Sequence, residues 1–181
     1  RRMAAFPDPV RAWFAGRGWT PHPHQRAILA SDAASLLLIA PTGAGKTLAG
    51  FLPSLVELSQ HGGGGRGLHT LYVSPLKALA ADIARNLETP VAEMALGVRI
   101  EDRTGDTAQS RRRRQRVDPP DILLTTPESL ALMLSYPEAP AIFAGLARVV
   151  VDEVHALAGT KRGDQLALCL ARLATLAPGH R

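Results

Sequence analysis

Eight residues, Ala40-Pro41-Thr42-Gly43-Ala44-Gly45-Lys46-Thr47, follow directly on the apolar run Leu36-Leu37-Leu38-Ile39. A strand that ends in a glycine-rich turn and opens a helix is built to hold nucleotide phosphates. Gly43 and Gly45 let the backbone N–H groups of Thr42, Gly43, Ala44 and Gly45 converge on phosphate oxygens, and the helix that follows adds the positive end of its dipole. The Lys46 ammonium can then reach the β- and γ-phosphates. The Thr47 hydroxyl can ligate Mg²⁺. About a hundred residues later, Val149-Val150-Val151 runs into Asp152-Glu153-Val154-His155. Two carboxylates at the mouth of a buried strand are costly unless something neutralises them. A magnesium ion at Asp152 does so, and Glu153 can orient or deprotonate the water that attacks a γ-phosphate. A helix-capping turn would account for the glycine run, and a strand-end cap for the acidic pair, but neither explains both together.

Halves so far apart in the chain need a sheet to bring them together. Short continuous apolar runs recur at Leu36 to Ile39, Leu71 to Val73, Val98 to Ile100 (the weakest), Ile122 to Leu124 and Val149 to Val151. Continuous runs, rather than alternating ones, mark strands covered on both faces. Amphipathic stretches lie between and after them, at Lys46 to Ser59, Leu76 to Leu96, Pro127 to Leu134 and Asp164 to Leu176. Shorter helices are expected ahead of them, over Val10 to Arg17 and His24 to Ala33. The alternation predicts right-handed βαβ crossovers and an α/β fold: a parallel sheet flanked by helices on both faces, with ligands at the carboxyl ends of its strands. Gly62 to Gly65 is expected to be a mobile linker without a chemical role.

The length of 181 residues suits about one domain. A hydrophobic fraction of 46% against 20% charged excludes general disorder. No apolar run approaches the ~20 residues that a membrane helix needs, and Arg1-Arg2-Met3-Ala4 opens no signal-peptide core, so the expectation is a soluble, cytoplasmic protein without a membrane partner. Cys169 is the single cysteine, which rules out an intrachain disulfide and suits a core position. The net charge of +5 equals the contribution of Arg111 to Arg114 together with Arg116. That stretch is either a solvated face or a phosphate-binding edge.

The glycine run and the acidic box together resemble motifs I and II of the first RecA-like domain of a superfamily 2 helicase, a P-loop NTPase fold in which motif I ordinarily begins with Ala. Further motifs then fall in order. Gly18 to Gln25 resembles the Q motif, which implies that Gln25 hydrogen-bonds the adenine edge, with Trp13, Phe14 or Trp19 stacking on the base. Ser74-Pro75-Leu76-Lys77 resembles motif Ia, Thr104-Gly105-Asp106 the glycine-containing motif after it, and Thr125-Thr126-Pro127-Glu128 motif Ib. Helix starts with Ser or Thr hydroxyls and free N–H groups suit phosphate contacts that carry no base information, although plain helix capping would explain each one singly. The wording SPLKALA, TGD, TTPESL and DEVH is similar to the large-helicase-related (Lhr-type) group, in particular its bacterial ligase-associated branch.

That resemblance implies an ATP- and Mg²⁺-dependent DNA helicase moving 3′ to 5′ on single-stranded DNA, with a 3′-tailed duplex as substrate and DNA repair as setting. It divides the chain into a lead-in over 1–20 and a RecA-like ATP-binding domain over 21–181. The family's Ser-Ala-Thr motif, arginine finger and second RecA-like domain are missing from this sequence, and His155 lacks the parts it couples to in the family. A fragment of a longer protein, with weak nucleotide binding and negligible turnover by itself, is therefore expected; an arginine finger is worth about 10³ to 10⁵ in rate in related hydrolases. The competing readings are a nucleic-acid-binding or interaction module with a vestigial nucleotide pocket, an RNA helicase of the same superfamily, and another phosphate-loop enzyme. Intact Lys46, Thr47, Asp152 and Glu153 oppose decay, and no Asn-Lys-x-Asp occurs to read guanine.

Overall fold

The computed structural model describes residues 6–41, 43–60 and 67–181. Nine helices and four strands occur among them: α1 (Asp8–Gly16), α2 (Pro23–Leu29), α3 (Lys46–Gln60), β1 (Thr70–Val73), α4 (Lys77–Glu93), β2 (Ile100–Arg103), α5 (Gln109–Val117), β3 (Ile122–Thr125), α6 (Pro127–Leu134), α7 (Ala139–Phe143), β4 (Arg148–Val151), α8 (Val154–Leu157) and α9 (Lys161–Leu176). The four strands form one sheet in the order β2-β3-β1-β4, and every pairing is parallel.

The continuous apolar runs have the meaning the alternation predicts. Along β1 and β3, Tyr72, Ile122 and Leu124 point to one face, where they meet Trp13 and Phe14 of α1, Phe51 and Leu55 of α3, and Ile83 and Leu87 of α4. The intervening Leu71, Val73 and Leu123 point to the other face and meet Leu130 and Met133 of α6, Phe143 of α7, and Leu166, Cys169 and Leu173 of α9. A residue period of two on a sheet buried on both sides needs apolar side chains at every position. Trp13 Nε1 also donates to Glu93 Oε2 at 2.7 Å, which ties α1 to the end of α4.

Two expected strands differ. Leu36 to Ile39 joins no sheet; Leu37 is 76% and Ile39 86% exposed. A strand forms only where a neighbour's N–H and C=O groups pair with it, and the outer edge of β4 is occupied otherwise. Val149 N donates to Arg181 O at 2.7 Å, and Arg181 N to Ala147 O at 2.9 Å. The weak run at Val98 to Ile100 is displaced, the strand being Ile100–Arg103, with Glu101 and Arg103 as its buried positions. Apolarity misplaces this edge strand because partners from α5 satisfy its buried polar groups. The linker Gly62 to Gly65 lies outside the described residues.

Candidate nucleotide and nucleic-acid sites

The glycine turn adopts the backbone its residues permit. Gly43 has φ 81° and Gly45 φ 72°, left-handed conformations that a side chain strains. Thr42 lies outside the described residues. Ala44 N donates to Pro41 O at 3.2 Å, and α3 begins at once with half-buried Lys46 and exposed Thr47. Gly45 meets the Gln25 amide so closely that a Cβ there would stand 3.0 Å from Nε2. Gln25 is 2% exposed; its Oε1 accepts from His22 N at 2.9 Å and its Nε2 donates to Gly45 O at 3.4 Å. The expected adenine-reading amide therefore abuts the glycine loop. Of the three aromatics considered for stacking, Trp13 and Phe14 are buried and Trp19 is 51% exposed.

The acidic turn is held from the sheet. Asp152 N donates to Val73 O at 2.9 Å, which extends the β1–β4 ladder by one residue. Asp152 Oδ1 accepts from Glu153 N at 2.9 Å, and Oδ2 accepts from the Tyr72 hydroxyl. Burial, and then the Asp152 carboxylate, push the Tyr72 phenol far above its ordinary value. Glu153 has φ 49°, and its carboxylate lies 3.3 Å from His155 Nε2. A left-handed glutamate costs on the order of 1 kcal/mol or more, so surrounding contacts must hold it.

Three contacts fix how α3 lies along β4 and its neighbour β1. Arg148, at the start of the strand, pairs with Glu57 late in the helix at 2.5 Å. Gly50 packs on Val150, its absent Cβ only 3.1 Å from Cγ1. Phe51 stacks on Tyr72 with centroids 4.7 Å apart. The helix thus runs antiparallel to the strand. Lys46 lies one helical turn, about 6 Å, before Gly50, and Asp152 lies about 6 to 7 Å beyond Val150. Lysine and acidic pair consequently stand at the same carboxyl end of the sheet.

The three phosphate-contact motifs also converge. Pro75, Lys77, Thr104, Gly105, Thr126 and Glu128 line one cleft of about 460 Å³. Each follows the end of a strand, Ser74 after β1, Thr104 after β2 and Thr126 after β3. Ser74 and Thr125 are buried behind the cleft; Thr125 Oγ1 donates to Arg103 O at 2.7 Å. Thr126 caps α6, whose first residue is Pro127, by accepting from Ser129 N. Lys77 pairs with Asp106 at 3.1 Å.

Three arginines also line the cleft: Arg112, from the stretch read as a possible phosphate-binding edge, and Arg103 and Arg162, which no motif named. Arg103 is 2% exposed and bonds to Arg112 O and the Tyr136 hydroxyl, both at 3.0 Å, and forms no ion pair among the described residues; burial holds its pKa below the usual guanidinium range. Arg112 donates to the Thr104 and Gly105 carbonyls, and its buried Nε has no partner among the described residues. Sequence position gave one signal, Arg103 preceding Thr104 directly; nothing marked Arg162. Three others of the stretch have partners within the fold. Arg114 pairs with Glu101 at 2.7 Å, Arg111 with Asp102 at 3.2 Å, and Arg116 lies over the Tyr136 ring.

A parallel sheet with an acidic turn at the carboxyl end of its edge strand, and a glycine loop opening the helix packed on that strand, defines a RecA-like P-loop NTPase fold. The chain belongs to the DEAD/DEAH box helicase family, whose profile matches residues 22–181. It is 43% identical to the ATP-dependent helicase Lhr-Core protein 2 of Thermococcus barophilus over 94% of this chain and 21% of that protein. Among solved structures it resembles Mycobacterium smegmatis helicase Lhr bound to single-stranded DNA and AMP-PNP, with TM-score 0.87 and 42% identity over 97% of this chain and 24% of that one. The DNA- and AMPPNP-bound helicase MrfA follows at TM-score 0.82 and 27% identity, covering 94% and 24%. The chain thus spans about a fifth to a quarter of the length of these proteins. No helix among the described residues is long and apolar enough to cross a membrane.

Proposed function

We propose that this chain is the ATP-binding motor domain of an ATP-dependent DNA helicase that moves 3′ to 5′ on single-stranded DNA, opens 3′-tailed duplexes and serves DNA repair together with a second RecA-like domain. The observation that carries the reading is the convergence of the phosphate loop, the acidic turn and a basic cleft at one end of one sheet. Support for the DNA substrate comes from the helicases Lhr and MrfA, which are solved with DNA.

The residues suit a magnesium nucleotide. Gly43 and Gly45 hold the loop in a left-handed backbone that side chains would strain. The Thr47 hydroxyl and the Asp152 carboxylate are hard oxygen donors of the kind Mg²⁺ prefers. In this reading Gly43, Ala44, Gly45 and Thr42 supply N–H groups to the phosphates, Lys46 neutralises β- and γ-oxygens, and Thr47 and Asp152 hold the ion, which offsets charge on the triphosphate. Glu153 orients the attacking water and accepts its proton. Ser74, Lys77, Thr104, Thr126 and their neighbours grip backbone phosphates, so the motor is indifferent to base sequence.

The test uses AMP-PNP with Mg²⁺, a single-stranded DNA oligonucleotide and an RNA of the same sequence. Lys46→Ala is expected to weaken AMP-PNP binding at least about tenfold. Glu153→Gln should bind it as the wild type does. In a protein joining this chain to a second RecA-like domain, both changes should stop DNA-stimulated ATP hydrolysis. Normal hydrolysis by either variant rejects the motor assignment, and tighter binding of RNA than DNA rejects the substrate.

A further inference from the structure

Nine residues beyond Glu153 in the sequence, Arg162 reaches the cleft on the far side of the acidic turn. Its Nε donates to Glu128 Oε1 at 2.5 Å, while Nη2 donates to Glu128 Oε2 at 3.2 Å and to Pro75 O at 2.7 Å. One planar guanidinium thereby joins the start of α6 to the loop before α4, the two walls that carry motifs Ib and Ia. The residue after it is equally constrained. A Cβ on Gly163 would stand 2.2 Å from Leu157 O and 3.0 Å from Leu157 C. Those are backbone atoms, which no rotamer change can move aside.

The segment between is short and internally closed. Four-residue α8 starts directly after Glu153. Thr160 Oγ1 donates to Leu157 O at 2.7 Å and accepts from Gly163 N at 3.1 Å, and Thr160 N also donates to Leu157 O at 3.1 Å. Leu157 itself is 2% exposed, packed in the core with Leu166 of α9. Only the turn Ala158-Gly159-Thr160 separates α8 from α9, and the Thr160 bonds close it on Leu157.

We propose that Arg162-Gly163 is a positioning strut: Gly163 seats α9 on the end of α8, and Arg162 fixes the cleft walls at one separation from Glu153, coupling strand binding in the cleft to nucleotide binding at the phosphate loop. The inference rests on the cleft's reading as a nucleic-acid site. It accounts for a bidentate fork plus a backbone carbonyl on one side chain, a geometry that lysine cannot supply.

The coupling is measured on the chain itself, as the Kd for AMP-PNP with Mg²⁺ in the absence and presence of a saturating single-stranded oligonucleotide. The wild type should show a change of about fivefold or more. Arg162→Ala should bring that factor close to one while thermal melting shows a folded protein, and Arg162→Lys should fall between. Glu128→Gln, which loosens the other end of the fork, should lose coupling likewise. A folded Arg162→Ala with the wild-type factor, or a wild type whose factor is one, overturns the strut. A wild type that binds neither probe overturns the motor reading itself.

Discussion

The hydroxyl of Tyr72 donates to Oδ2 of Asp152, across 80 residues of sequence. Tyr72 sits in the sheet interior, 1% exposed, with its ring stacked on Phe51 of the helix that Lys46 begins. One side chain thus touches both the acidic turn and the helix that follows the glycine loop. Its phenol stays protonated through the working pH range, because burial and the neighbouring carboxylate both disfavour the phenolate.

Tyr72→Phe keeps the stack and removes the bond that orients Asp152. A group that aims a metal-binding carboxylate is typically worth 10- to 100-fold in metal affinity. Titration calorimetry should find Mg²⁺-AMP-PNP bound about tenfold more weakly, with the Mg²⁺-free analogue little changed. Equal loss for both would show that Tyr72 supports the loop rather than the ion.

Gln25→Ala should weaken ATP and GTP analogues by a similar factor, about fivefold for a net hydrogen bond near 1 kcal/mol. The reason is that the amide braces the carbonyl of Gly45, in the loop proposed to hold the phosphates. A loss confined to the adenine nucleotide, in competition binding, would mean that the amide leaves the loop to read the base.

Arginines of α5 should divide into two classes. Arg112→Gln, at the cleft, should reduce the salt dependence of oligonucleotide binding by about one phosphate contact. Arg111→Gln and Arg114→Gln should leave that slope alone and cost about 0.5 to 1 kcal/mol of stability, since both guanidiniums are partly exposed and screened by water although their shared partner Glu101 is buried. A uniform fall in slope across all three would restore the phosphate-binding edge as the role of the whole stretch.

Glu101 gives a pH signature. Burial raises its pKa, but bonds from Gln115, Arg114 and Arg111 outweigh burial and leave it below the ordinary 4.5. A carboxylate whose folded value is depressed stabilises fully above its unfolded value and loses that contribution as pH falls through the folded one. Acid should therefore loosen α5 from β2, and Glu101→Gln should flatten the decline of melting temperature below about pH 4.5. An identical acid profile in the variant would remove Glu101 from the linkage.

Much of this was legible along the chain. Gly43 to Thr47 and Asp152 to Glu153 stand out by type and spacing, and the runs at Leu71 to Val73, Ile122 to Leu124 and Val149 to Val151 announce strands by their lack of alternation. The failures have one cause. Leu36 to Ile39 has strand composition without a ladder partner, and β2 has a ladder partner without strand composition, since Glu101 and Arg103 are buried against α5. Local propensity cannot register a neighbour that arrives from elsewhere in the fold.

What composition and spacing determined by themselves was the class of chemistry, a phosphate loop answered by a pair of carboxylates in an alternating α/β chain. Only the packed structure decided that Tyr72 links those halves, that Gln25 leans on Gly45, that most of the arginine stretch anchors a helix, and that Arg162 bridges the cleft. Backbone conformation and burial follow from short-range sterics and apolar periodicity, which a linear sequence contains; partners for polar groups are chosen across distances that only the folded chain brings within 3 Å.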